Sequence, residues 1–145
     1  MKKLFALLIF GILFFGCTDI VKGIRSELNK PTPSRLEAQS KNYWKQNSPF
    51  SIDAYKASGT TLDLVIKNND AETLYLREIS GNGIVKSAFN TSFRGGDEKT
   101  ITLMLERVCT KGANFQYSNI TIIYDKTNFT GLDEIGTLPL DGTCS

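Results

Sequence analysis

The sequence predicts a mainly β protein: an antiparallel β-sandwich preceded by an N-terminal hydrophobic helix and a short helical stalk. Three observations predict it. From Phe50 onward, apolar and polar residues alternate at period two, so each strand has one inward face. Gly, Asn and Asp clusters interrupt that alternation at regular spacing and cut it into six or seven short strands, the pattern of a sandwich. Before Phe50 the texture is helical and, at its start, wholly apolar. The expected organisation is a signal or anchor over residues 1–16, a helical stalk over 17–48 with a break at Pro31–Pro33, and the sandwich over 49–145.

The first element is an export signal. Lys2 and Lys3 precede an unbroken apolar run, Leu4 to Gly16, and the chain turns polar at Thr18-Asp19. That run is too short to span a bilayer comfortably, and a small residue directly before Cys17 resembles a lipobox. Cleavage before Cys17 and acylation of its thiol are expected, although Phe14 and Phe15 fit only a permissive form of the pattern. The alternative is an ordinary apolar Cys17 inside a membrane helix. The chain has three cysteines, and Cys109 and Cys144 lie far from the signal. In an exported chain such a pair forms a disulfide, and lipid on Cys17 accounts for the odd one.

In the stalk, Ile20, Ile24 and Leu28 recur at helical spacing, and Pro31 and Pro33 interrupt them. Ser34 followed by Glu37 has the form of a capping box that opens a second helix, with Leu36, Ser40, Tyr43 and Trp44 on one face. Asn47-Ser48-Pro49 ends it. Tyr43 and Trp44 are expected to anchor this helix on the domain.

The strands follow in order. Phe50 to Tyr55 is the first, Ser58-Gly59 a turn, and Leu62, Leu64 and Ile66 the inward set of the second. Asn68 to Glu72 is a turn rich in residues that tolerate left-handed backbone. Thr73 to Ser80 carries Leu74 and Leu76 inward, Gly81-Asn82-Gly83 turns, and Ile84 to Phe89 follows. Arg94 to Glu98 leads into Ile101, Leu103 and Leu105. Phe115 and Tyr117 have one parity and Ile120, Ile122 and Tyr124 the other, so a bulge near Ser118-Asn119 is expected. Ile135 to Leu138 is a last short strand before Pro139.

Composition narrows the chemistry. Of 17 basic and 15 acidic residues, Lys2 and Lys3 leave with the signal, so 15 of each sign remain. Such a chain lacks the basic stripe that nucleic acid requires, and no nucleic-acid partner is expected. With no histidine, the commonest general base and metal ligand is missing. The adjacent acids Asp97-Glu98 and Asp133-Glu134 point to opposite faces of a strand and read as solvated turn charges. Asn68, Asn69, Asp70 and Glu72 offer oxygens suited to calcium, but a plain turn explains them better. Gly81-Asn82-Gly83 and Gly95-Gly96 lack the Gly-Lys-Ser/Thr of a phosphate loop. Neither catalytic residues, metal nor cofactor are expected. Asn90, Asn119 and Asn128 match the glycosylation acceptor pattern, which matters only outside the cytosol.

The runs Tyr43-Trp44, Ser48 to Ile52, Lys67 to Leu74 and Gly96 to Ile101, followed by Cys109 and the tail Gly136 to Ser145, resemble archaeal pilin- and flagellin-like surface proteins. The resemblance covers roughly Tyr43 to Ser145. It implies an immunoglobulin-like sandwich with a C-terminal cysteine-bearing pattern, at the extracellular face of a cell membrane. The implied role is structural or adhesive, with surface proteins, glycans or copies of the chain as partners. At the N-terminus the chain departs from the family. A pilin-type cut would fall after Lys3 and retain Leu4 to Phe15 for a filament core. Yet no acidic residue lies early in that run, and Pro31 and Pro33 would break the stem.

Overall fold

A computed structural model describes residues 34–145; the expected signal, the lipidation at Cys17, the first stalk helix and its Pro31–Pro33 break lie outside the described residues. One helix and eight strands follow in order: α1 (Arg35–Lys45), β1 (Phe50–Asn68), β2 (Leu74–Gly81), β3 (Ile84–Phe93), β4 (Glu98–Cys109), β5 (Asn114–Tyr117), β6 (Thr121–Lys126), β7 (Phe129–Ile135) and β8 (Leu140–Thr143). The fold is mainly β, and every strand pair is antiparallel.

Helix α1 starts where Ser34 Oγ accepts the Glu37 N–H at 3.0 Å, satisfying one of the donors a helix start leaves free. The Glu37 carboxylate turns to Lys41, 2.6 Å away, instead of completing the box. Ser40 and Trp44 are buried, but Leu36 is 59% exposed, so the buried face is narrower than the sequence spacing predicts. Ser40 Oγ donates to the Pro139 carbonyl at 2.6 Å, and the Tyr55 hydroxyl donates to the Asp141 carbonyl at 2.8 Å. Burial pushes the Tyr55 phenol above its ordinary pKa. The helix therefore belongs to the same compact unit as the strands, so the part of the expected stalk that is described packs on the domain.

Two sheets form, one in the order β1-β4-β3-β2-β6-β7 and the other β5-β8. Strands β2, β3 and β4 are consecutive neighbours and β1 lies beside β4, a Greek-key order. β3 and β4 share one paired position, Ile84 with Leu105, so the long sheet has a narrow seam there. Leu62, Leu64, Ile66, Ile101 and Leu103 from β1 and β4 join Leu74, Leu76, Ile79 and Ile122 from β2 and β6 in a single apolar cluster. β1 and β7 end the sheet order on opposite sides, yet the Phe50 N–H donates to Glu134 Oε2 at 3.0 Å. The start of β1, ahead of its ladder with β4, is thus tied to β7 through a side chain.

Three strand boundaries differ from the sequence reading, each for a local reason. The expected turn at Ser58-Gly59 is a bulge inside one 19-residue strand: Gly59 takes φ +56° and the register with β4 shifts between Gly59 and Thr61. The parity change between Tyr117 and Ile120 is a passage between sheets, with Asn119 at φ +54°, and not a bulge in one strand. The last strands are β7 and β8, and residues 136–139 between them are irregular. β7 escaped recognition because its outward positions carry Phe129 and Ile135, 63% and 60% exposed, while Glu134 points inward.

Candidate binding cleft

A cleft of about 530 Å³ opens between the end of β4 and the outer edge of β5. Glu106 to Thr110 form one side, Ala113 to Tyr117 the other, and Asn82-Gly83 of the β2–β3 turn closes one end. Cys109 and Cys144 lie at its base, disulfide-bonded with Cα atoms 5.5 Å apart, which fits ordinary bridge geometry.

Local sequence explains how each wall is placed. β5 reads Asn-Phe-Gln-Tyr, and a period of two sends the amides one way and the rings the other. Phe115 and Tyr117 stack with centroids 5.0 Å apart and planes 20° from parallel. Each ring lies over a glycine: a Cβ on Gly142 would sit 2.8 Å from Phe115 Cζ, and one on Gly83 would sit 3.0 Å from Tyr117 Cδ1. Partial burial pushes the Tyr117 phenol above its ordinary value. The Glu106 N–H donates to the Gly83 carbonyl at 3.0 Å and fixes the turn against β4. Asn82 is held from the other side, its Nδ2 donating to Ser118 Oγ at 3.1 Å.

The residues that line it are polar and aromatic: Asn82, Glu106, Arg107 and the whole of β5, whose rings lie on one face while the amides of Asn114 and Gln116 lie on the other, bonded to Thr143 and Asp141 of β8. Among the described residues Arg107 enters no ion pair. Such a lining can stack on a flat apolar face while donating and accepting hydrogen bonds around it.

The turns expected to carry function divide between the two ends of β4. Gly81 to Gly83 reaches the cleft. Asn68 to Glu72 and Gly95 to Glu98 pack on each other at the far end, where the Gly96 N–H donates to the Asn68 carbonyl at 2.9 Å. Asn68 Nδ2 donates to the carbonyls of Glu72 and Phe93, and Oδ1 accepts the Asp70 N–H, so this side chain is a buried pin within the turn. Lys126 is bonded to the Asp70 carboxylate and holds it below the usual carboxylate range. Among the described residues no group of three His, Cys, Asp or Glu side chains is placed to share a metal ion. Asn90, Asn119 and Asn128 are all exposed.

One pair expected to be solvated is not. Asp133 is exposed, but Glu134 is only 8% exposed. Its Oε1 accepts from Asn47 Nδ2 at 2.5 Å and its Oε2 from the Phe50 N–H. Loss of hydration outweighs these two bonds and pushes the carboxyl up to about 7. Sequence reasoning missed it because alternation along β7 is masked by the outward Phe129 and Ile135. Arg107 and the Asn114–Tyr117 run were also missed, although alternating amide and aromatic residues were visible there.

No protein-family model, curated protein or solved structure matches the chain.

Proposed function

We propose that this chain is a cell-surface, membrane-anchored, immunoglobulin-like β-sandwich with an adhesive role, binding a protein or glycan surface in the β4–β5 cleft without catalysis. The observation that carries it is the cleft itself: open to solvent and lined by the stacked Phe115–Tyr117 pair, by Asn82 of the β2–β3 turn and by Glu106 and Arg107 of β4, with Arg107 in no ion pair among the described residues. Rings beside mixed donors and acceptors suit a polar ligand with apolar faces. The Greek-key order of β1 to β4 and the single shared core support a sandwich, while the seam at Ile84–Leu105 keeps six strands in one hydrogen-bonded order. Membrane attachment rests on Lys2-Lys3, the apolar run and Cys17.

The test is binding of the purified full chain to arrayed glycans and to envelope proteins, compared with Tyr117→Ala and Arg107→Ala. Each change is expected to weaken capture at least tenfold. Capture that survives both substitutions unchanged would exclude the cleft as the binding site.

A further inference from the structure

Glu134 lies where three parts of the chain converge: edge strand β7, the Asn47–Pro49 connector, and the first residue of β1. Its two oxygens tie β7 to Asn47 and to Phe50. The same connector is held from beyond by Asn69, whose N–H donates to the Pro49 carbonyl at 2.8 Å and whose Nδ2 donates to the Asn47 carbonyl at 3.1 Å. Among the described residues no Lys or Arg nitrogen lies within 4 Å of the Glu134 carboxyl. Tyr124 on β6 senses the Glu134 charge, and it senses those of Lys126 on β6, Asp133 on β7 and Asp70 in the β1–β2 turn as well. Lys126 is already paired with Asp70. The connector contributes Asn47, Ser48 and Pro49, none of which titrates, and α1 contributes Tyr43, whose hydroxyl accepts the Thr137 N–H at 2.9 Å.

We propose that Glu134 is a proton-operated latch: protonated, it locks the helix-to-sheet connector against β7, and ionised, it releases the connector to water. A buried carboxylate without a cation is costly, and opening the connector and its junction with Phe50, which supply both of its bonded partners, would admit water to it. The neutral acid keeps both ties if the Asn47 amide turns over. Its O–H then donates to Asn47 Oδ1, while the other oxygen still accepts the Phe50 N–H.

The direction follows from linkage. The closed junction holds its proton up to about pH 7, whereas an open one titrates near the ordinary 4.5. Opening is therefore rarest below pH 4.5, increases as pH rises toward 7, and levels off above it. At tenfold per pH unit, the increase is of order a hundredfold.

The chain carries its own reporter. Its one tryptophan, Trp44, is fully buried, and its ring meets Gly136, two residues from Glu134. Trp44 emission of the full chain, together with amide exchange at Phe50 and Asn69 corrected for intrinsic rates, would be followed from pH 4.5 to 8. Opening should rise of order a hundredfold and plateau near pH 7. Glu134→Gln mimics the neutral acid and should hold the junction closed throughout. Wild-type exchange that is flat with pH, or a rise that persists in Glu134→Gln, would overturn the latch. If that variant misfolds, NMR titration of the wild-type Glu134 carboxyl decides. A midpoint near 7 supports the latch, and one in the ordinary carboxylate range refutes it.

Discussion

Trp44 and Gly136 show how closely single residues are matched here. A Cβ on Gly136 would fall 2.0 Å from Trp44 Cη2, inside a ring that is fully buried. Gly136→Ala is therefore expected to lower stability by about 3 kcal/mol in urea denaturation, an overpacking cost, with a red shift of Trp44 emission. Asn68 is the opposite case, where removal is harmful. Asn68→Ala would leave two carbonyls and one N–H without their partner, and a loss of about 2–3 kcal/mol is expected by the same measurement. The sequence marked Asn68 as a turn residue, correctly for its neighbours. That the side chain points inward depends on Phe93, 25 residues away, and local composition holds no trace of it. The resolved carboxyl shifts also oppose one another. Asp70 and Asp125 titrate below the usual 3.8 and so contribute stability that is lost as pH falls through their folded values. Glu134 contributes stability that is lost as pH rises from 4.5 to about 7. Together they predict maximal thermal stability at about pH 4 to 5, with Glu134→Gln removing the decline on the alkaline side.

At the scale of elements, the strands with clean alternation were legible: the inward sets Leu62-Leu64-Ile66, Leu74-Leu76 and Ile101-Leu103-Leu105 are all buried. Legibility failed where a glycine was taken as punctuation. Gly59 bends β1 without ending it, because one residue at positive φ absorbs the register shift. No atom lies within 4 Å of a Cβ built there, so substitution tests backbone strain alone. Gly59→Val is expected to cost about 2 kcal/mol, Gly59→Ala about 1, and Gly59→Asn less than either, since Asn tolerates left-handed backbone. Equal costs for all three would remove strain as the explanation. The cleft was legible only at its Gly81–Gly83 end. Its other wall is built by pairing β5 with β8 across a register, Phe115 with Gly142, that no local pattern encodes.

For the whole molecule, the disulfide is the largest single constraint read from sequence. Cys109 and Cys144 are 35 residues apart, and reducing that bridge should lower stability by about 3–4 kcal/mol in the loop-entropy account. Non-reducing peptide mapping should recover the two cysteines joined, and free thiols at both would refute the pairing. Cys17 then has no partner within the chain. Intact mass of membrane-extracted protein should show it as an acylated N-terminus, whereas a chain beginning at Leu4 would favour the filament alternative.

The place of that bridge also decides how the fold carries a mechanical load. A pull from the N-terminal side is met first by α1 and, once that helix gives way, runs along β1 to Gly59, where the ladder with β4 begins opposite Cys109. An antiparallel ladder loaded at one end peels open bond by bond. Here that end is bracketed: Cys109 is covalently joined to Cys144, and the next residue, Ser145, donates its N–H to the Ala57 carbonyl at 3.0 Å. Peeling β1 from that end must therefore break the Ser145–Ala57 bond as well as the first rungs of the ladder, while the bridge keeps the end of β4 and the C-terminal tail together as one anchored edge.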